Sequence, residues 1–289
     1  MKAIILNLSA WIILPFMDAI AKYLSTDLSF FQITWARYFF TVFWTLPFMF
    51  FFFKNNLILS QNPKLQILRG LTLFSANICF FYSISIISMA KALTLAFVAP
   101  LVTTALSPIL LGEKVGIKRW LAVIVGFIGS LFVIRPGFIE FNLATVAALG
   151  TGCLYGFYLI ITRKLHSTDN PLLTLLITGI VGVTVSSFFV PIVWVSPTNI
   201  QWLWLGIMGI FACLGHILLI YSLRLADASK LAPFGYFEII TNIILGYYFF
   251  KDFPDLWTFV GLFIIISSGI YIFRTELEKI GRASCRERV

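Results

Sequence analysis

Long uninterrupted apolar runs constrain this chain more than anything else in it. A helix of about 20 apolar residues crosses a bilayer core of about 30 Å. Ten runs of that kind can be read, at approximately 3–23, 31–53, 67–87, 91–111, 118–135, 142–162, 172–194, 202–222, 231–250 and 256–273. The turns between them are short and carry charge, Pro, Gly or Asn. Examples are Lys54-Asn55-Asn56, Gly112-Glu113-Lys114, Arg135-Pro136-Gly137, Asp169-Asn170-Pro171 and Lys251-Asp252-Phe253-Pro254-Asp255. Lipid offers no partner to backbone polar groups, so the runs must be helical. They are continuous, not alternating, which excludes a β-barrel. No soluble domain fits between them.

Composition agrees. The chain is 60% hydrophobic and 11% charged, where ordinary globular domains carry about 25% charged residues. A soluble fold could not hide so much apolar surface, and disordered chains are poor in it. The net charge is +9, but the basic residues punctuate apolar runs and form no patch, so nucleic acid is not an expected partner. Cys79, Cys153 and Cys213 lie inside apolar runs and read as small buried hydrophobes. Without a CxxC pair or a Cys/His cluster, neither a metal site nor a disulfide framework is expected, and no cofactor is expected. The first run passes Pro15 and Asp18 to Tyr23 without a small-x-small cleavage site. It reads as the first spanning helix, not a cleaved signal.

Basic residues set orientation. With the N-terminus in the cytoplasm, the Lys and Arg residues divide 16 inside to 5 outside, the outer set being Lys22, Arg37, Lys91, Arg135 and Lys251. Both termini are therefore expected in the cytoplasm, in a cell membrane.

The halves resemble one another. Sliding the chain by 139 positions lays 82–135 on 221–274 without a gap, so that Tyr82-Ser83 meets Tyr221-Ser222, Lys91 meets Lys230 and Glu113 meets Asp252. Five spans per half is an odd number, so the second half enters the membrane from the opposite side. The expected fold is all-α integral membrane, with ten helices as two inverted five-helix repeats, 1–137 and 138–275, and a short polar tail, 276–289. Inverted repeats accompany alternating access, with the binding site at mid-membrane between them.

Several motifs carry a family likeness. Ala90-Lys91-Ala92, Ala99-Pro100-Leu101, Leu111-Gly112-Glu113-Lys114, Arg119-Trp120-Leu121-Ala122 and Gly126-Phe127-Ile128-Gly129 lie in the first half; Ala226-Asp227-Ala228, Ala232-Pro233, Tyr236, Glu238 and Phe250-Lys251-Asp252 lie in the second. Together they resemble the EamA family of the drug/metabolite transporter superfamily, over about residues 3–274. The resemblance implies a ten-helix carrier with a central cavity lined by both halves. Asp18-Ala19-Ile20-Ala21-Lys22-Tyr23 and Phe253-Pro254-Asp255 are similar to a subgroup that includes S-adenosylmethionine and riboflavin uptake carriers.

Ionisable groups inside a membrane are costly and usually face a cavity or a partner. Glu238 follows Pro233 by five residues, about seven into the ninth span, with Asn242 one turn later on its face. It either binds a cationic group or carries a coupling proton, or else pairs with a basic neighbour and fixes packing. Asp18 and Lys22 are spaced to pair; alternatively Asp18 faces the cavity. Arg37, within Thr34-Trp35-Ala36-Arg37-Tyr38, either meets Asp18 or a substrate carboxylate, or lies at the outer interface. His216 and its counterpart Asn77, at the same 139-residue offset, are candidate walls of one cavity. Trp35, Tyr82, Tyr155, Tyr158 and Tyr236 are candidate aromatic wall residues, with Tyr236 the best placed; packing is the alternative for each. Pro100, Pro108 and Pro233 fit breaks or kinks where a carrier helix bends. Gly152 and Gly156 form a GxxxG pair that reads as packing.

The expected function is secondary active transport of a small metabolite, cationic or zwitterionic: an amino acid, an amine, or a cofactor-like solute such as S-adenosylmethionine or riboflavin. Protons or a counter-solute would drive it, since no Walker A motif occurs. An intramembrane enzyme and a channel are the rivals. No HExxH or GxSxG supports the first, and Ser88-Met89-Ala90-Lys91 matches SxxK only at an outer turn. No ring of pore-lining groups supports the second. A monomer or a homodimer is expected. Gly281 to Val289 is abruptly polar, either extraneous to the native chain or a basic tail drawn to anionic lipid, and receives no role.

Overall fold

A computed structural model describes residues 1–52, 60–87, 89–134 and 142–250, and parts of 256–274. The turns at Lys54, at Arg135-Pro136-Gly137 and at Lys251–Asp255, Ser88, and the tail 276–289 lie outside the described residues. The described elements are helical: α1 (Lys2–Leu24), α2 (Phe30–Phe52), α3 (Pro63–Ile86), α4 (Met89–Ala96), α5 (Ala99–Leu111), α6 (Ile117–Ile134), α7 (Leu143–Lys164), α8 (Pro171–Ser187), α9 (Asn199–Leu225), α10 (Ala228–Leu231) and α11 (Glu238–Phe250). Four of these, α1, α3, α7 and α9, are by length and composition each sufficient to cross a membrane.

Local chemistry sets the ends. Asn142 and Asn170 cap α7 and α8 by accepting the backbone N–H of Thr145 and Leu172. Thr198 and Gln201 form a reciprocal capping box on α9. Gly112 ends α5 at φ +68°, a left-handed conformation that glycine adopts without steric cost, and so turns Glu113 back toward the bundle.

Three expected spans are corrected. The fourth, 91–111, is two helices, broken at Phe97 and Val98. Pro100 has no N–H to offer the carbonyl of Ala96, so the ladder cannot run through. The ninth, 231–250, is also interrupted: α10 gives way to a 3-10 stretch, Ala232–Phe237, before α11 begins. Glu238 is therefore the first residue of α11, not the seventh residue of a continuous helix. The seventh ends at Ser187, with a 3-10 turn over Val190–Ile192 that contains Pro191. Pro108 leaves α5 unbroken.

Polarity is inverted relative to a soluble fold. Ile109, Phe188 and Ile192 are among many large apolar side chains turned outward, while Arg37, Arg69, His216 and Asp18 are buried. Cys153 is exposed, and Cys79 and Cys213 are half-buried. This corrects the reading of all three as buried, because an apolar residue in such a fold is as stable facing lipid as facing the core. Arg69 shows how a buried cation is accommodated. It donates to Thr162 Oγ1 (2.7 Å), the Thr174 carbonyl (3.2 Å), Thr178 Oγ1 and Tyr158 Oη (2.7 Å), and it lies over the Tyr158 ring.

α1 packs on α9, α3 on α7, and α2 on both α8 and α9, while the broken α4 and α5 lie along α7. Gly152 and Gly156 make that last contact possible. A Cβ at Gly152 would strike the Ala96 carbonyl oxygen, and one at Gly156 would lie 2.9 Å from the Ala99 oxygen. The GxxxG pair thus seats α7 against the very turn that divides α4 from α5. Gly152→Val should overpack this contact and cost about 1–3 kcal/mol. Thermal unfolding of the purified protein in detergent checks this; an unchanged midpoint would mean the α4–α5 turn is not held by α7.

Candidate functional site

A cavity lies where α1, α2, α3, α7 and α9 meet the two interrupted segments. Counted out to its mouth, it encloses about 880 Å³. Its wall is mostly apolar, with a few convergent polar groups, as small-molecule sites usually are. The helix interruptions contribute directly: Phe97, Pro100, Ala232 and Gly235 all line it.

Asp18, Arg37, Asn77, His216 and Glu238, five of the residues singled out in the sequence, line this one cavity. Arg37 is 2% exposed and eight residues into α2, so the outer-interface reading is corrected. Its Nε points to Met17 Sδ (3.0 Å) and one terminal nitrogen lies 3.2 Å from His216 Nε2. The other terminal nitrogen, Nη1, has no hydrogen-bond partner. His216 Nδ1 lies 3.0 Å from the Ala212 carbonyl oxygen. A carbonyl only accepts, so Nδ1 carries the proton. A guanidinium only donates, so Nε2 accepts from Arg37. The imidazole is thus neutral and holds the guanidinium in place.

The two carboxylates are free. Among the described residues, neither Asp18 nor Glu238 makes a side-chain hydrogen bond or an ion pair within 4.0 Å. Lys22, spaced to pair with Asp18, instead donates to the carbonyls of Ile84 and Ile87 at the end of α3. Asn77 donates to the Leu73 carbonyl (2.7 Å) and to Tyr38 Oη (2.8 Å). That fixes its amide.

Other candidates sit elsewhere. Tyr236 is packed away from the cavity: its hydroxyl donates to the Val123 carbonyl (3.1 Å) and its ring fills the space beside Gly126. Tyr158 is taken by Arg69. Trp35 donates to Ser187 Oγ (3.1 Å) and packs on Phe39 and Trp194. Tyr82 meets the edge of Phe30. Asn242 donates to the Glu238 carbonyl (3.0 Å), stiffening the first turn of α11, and is not part of the wall. Pro233 is buried in the 3-10 stretch, while Pro100 reaches the cavity. Tyr155 also lines it, its ring 6.0 Å from that of Trp11.

Asn7 and Trp11 line the cavity and were not singled out in the sequence. Their signal is present there, because Asn7, Trp11, Leu14 and Asp18 follow helical spacing down one face of α1. Trp11 Nε1 donates to Asn7 Oδ1 (2.8 Å), and Asn7 Nδ2 donates to Ser222 Oγ (3.1 Å).

One end of the cavity is bordered by an ionic clamp. Glu113 accepts from the backbone N–H groups of Ala228 (2.9 Å) and Ser229 (3.0 Å) and from Ser229 Oγ (2.7 Å). Arg163 reaches both Glu113 (3.4 Å) and Asp227 (3.2 Å), and Arg119 reaches Ser229 Oγ (2.9 Å). Ala228 is itself a cavity residue, so this clamp fixes the wall at that end.

Three comparisons bear on this geometry. The model of the EamA-like transporter family matches residues 1–135 and 142–274. An S-adenosylmethionine uptake transporter from Rickettsia bellii (strain RML369-C) is 31% identical over 265 residues, covering 92% of this chain and 91% of that one. Its counterpart from Rickettsia prowazekii (strain Madrid E) is 29% identical over 94% of both chains. A riboflavin transporter from Vibrio cholerae serotype O1 (strain ATCC 39315 / El Tor Inaba N16961) is 29% identical over 66% of this chain and 65% of that one. A solved crystal structure, 15% identical, superposes with TM-score 0.79 over 93% of this chain and 95% of that chain, a likeness of fold alone.

The clamp is open to a direct test. Glu113→Ala would leave the backbone N–H groups of Ala228 and Ser229 without their acceptor and remove one of the two carboxylates that Arg163 reaches, at a cost of about 1–3 kcal/mol. A lowered unfolding midpoint is the expected result, and retention of the wild-type midpoint would show that the clamp contributes nothing.

Proposed function

The chain belongs to the EamA-like transporter family, and on that premise we propose that it is a secondary carrier for a small metabolite bearing both signs of charge. S-adenosylmethionine is the solute that suits the site best. The observation that carries this reading is a set of ionisable groups in one cavity: two carboxyl groups with no hydrogen bond or ion pair among the described residues, and a guanidinium with one terminal nitrogen unused. Charges are expensive to bury unmatched. A cavity that leaves three ionisable groups without direct partners among the described residues is arranged for a solute that supplies the counterparts. Riboflavin, an uncharged molecule, supplies none.

The carrier works by alternating access between two oppositely inserted repeats, 1–137 and 138–275, each of five crossings. Helix ends support this. α3 ends at Ile86 and α9 at Leu225; α4 begins at Met89 and α10 at Ala228; α5 runs 99–111 and α11 runs 238–250. Each pair differs by the same 139 residues found in the sequence. Packing is reciprocal as well: α1 on α9 mirrors α7 on α3, and α2 on α9 mirrors α8 on α3.

Loops sort into two sets by their hydrogen bonds. Asp169 accepts from Gln61 N–H and Gln66 Nε2, and Glu113 joins Arg163 and Ser229. Gln32 joins Val195, and Gln201 joins Asp27. The first set holds the richer share of Lys and Arg and is assigned to the cytoplasm together with both termini, in the cytoplasmic membrane. The clamp at Glu113 then closes the inner side. Transport is coupled to a proton or to a counter-solute, with Asp18 and Glu238 as the groups whose charge a proton would cancel.

In proteoliposomes, labelled S-adenosylmethionine should exchange unchanged and saturably with internal unlabelled compound. Glu238→Gln should slow this by about tenfold or more while membrane expression persists. Wild-type rates in that variant at every pH tested would end the coupling role. His216→Ala should alter the apparent affinity. For topology, an impermeant maleimide should reach a cysteine at Ser196 from outside and one at Thr168 only from inside, in a background free of other cysteines. Labelling of Thr168 from outside and of Ser196 only from inside would refute the inversion.

A further inference from the structure

Among the described residues two arginines are buried, and they are treated differently. Arg69 has its donors satisfied by three side-chain hydroxyl groups and a carbonyl. Arg37 is equally hidden, yet its Nε meets only a thioether, a weak acceptor, and one terminal nitrogen meets a neutral imidazole. Its carbon lies 4.7 Å from the centroid of the Tyr38 ring, and Nη1 meets nothing. No carboxylate lies within ion-pair distance of it among the described residues. The guanidinium is thus oriented by three uncharged neighbours, and Asp18, the carboxyl group that feels its charge, stands beyond ion-pair distance. A buried charged donor left unmet costs more than an ordinary hydrogen bond is worth, so Arg37 calls for an acceptor at hydrogen-bond distance, which neither cavity carboxyl group supplies in this arrangement.

We propose that Arg37 is the receptor for the carboxylate of the transported solute, and that His216 is the residue that positions it. The assignment rests on the carrier reading given above and goes further, because it says which end of the solute goes where. A planar guanidinium accommodates a carboxylate with two parallel hydrogen bonds, a geometry that an ammonium cannot reproduce. Asp18 and Glu238 then receive the cationic groups. The cavity offers one guanidinium and two carboxyl groups. An α-amino acid with a second cationic centre offers one negative and two positive, as S-adenosylmethionine does through its carboxylate, ammonium and sulfonium. The Trp11–Tyr155 pair, with ring centroids 6.0 Å apart, is the aromatic surface left for a heterocycle.

Calorimetry on the purified full chain in detergent tests this with two probes, S-adenosylmethionine and its decarboxylated analogue, which keeps the nucleoside, sulfonium and amine. The wild-type chain should bind the first about tenfold or more tightly than the second, the scale of one charge-assisted hydrogen bond. In Arg37→Gln the two affinities should converge to within about threefold. Arg37→Lys, which keeps the charge without the fork, should fall between. His216→Ala should weaken S-adenosylmethionine and leave the analogue unchanged, a split that a purely structural role would not produce. Equal wild-type affinities, or a preference that survives in Arg37→Gln, would overturn the assignment and leave the carrier reading standing. If monodisperse wild-type protein binds neither probe, the carrier reading for this solute fails, and the assignment fails with it. Should Arg37→Gln not fold, the wild-type comparison and Arg37→Lys still decide.

Discussion

Inside a bilayer a charged side chain has three ways to be met: by its own chain, by water in a cavity, or by a ligand. Everything distinctive in this structure follows from how that demand is answered at each site. Arg69 is answered entirely by α3, α7 and α8, through Tyr158, Thr162, Thr174 and Thr178. Its burial is a matter of architecture. Arg37, Asp18 and Glu238 are answered only in part or not at all, and they share one cavity. That contrast, and not the presence of charge as such, separates the scaffold from the site.

The cavity exists because two helices are interrupted. A helix uses its backbone groups internally and presents a continuous cylinder to its neighbours. Pro100 and Pro233 each withdraw a donor from the ladder, and the chain turns at Phe97–Val98 and winds as a 3-10 segment through Ala232–Phe237. Both interruptions reach the cavity wall. Gly152 and Gly156 bring α7 against the first, which keeps the gap from being filled by side chains. Glu113 ties α10, just before the second, to the end of α5 and to Arg163. A wall made of interrupted helices pinned by a few ionic contacts is one whose arrangement can change without unfolding the long helices α1, α3, α7 and α9. Such a wall fits the alternating-access carrier proposed above.

Much of the scaffold could be read from residues alone. The apolar runs, the prolines in the fourth and ninth spans and the 139-residue offset are local or periodic signals, and the helix ends fall where that offset places them. Asp18, Arg37, Asn77, His216 and Glu238 stood out because a polar residue in an apolar run must be accounted for. The same rule also raised Asn242, which turns out to serve its own helix turn. Tyr236 was favoured for standing two residues from Glu238, but the 3-10 winding of 232–237 rotates it toward Val123 and Gly126. Trp11 was missed because a tryptophan among so many aromatics carries no mark of its own.

The sequence by itself determined that this is an all-helical membrane protein of a transporter family, because exclusion from water is written residue by residue in runs long enough to cross a bilayer. It marked where helices could break but not which would, since Pro100 and Pro233 stand at interruptions while Pro15, Pro47 and Pro108 lie inside continuous helices. Only the tertiary structure decided which charges are spent and which are left. Arg37 and His216 are 179 residues apart in the chain, and Arg69 meets Thr178 across 109. In sequence the two arginines look alike, each a cation near the start of an apolar run. What distinguishes them is the set of acceptors that other helices bring within about 3 Å, and that set comes into being only when the helices pack.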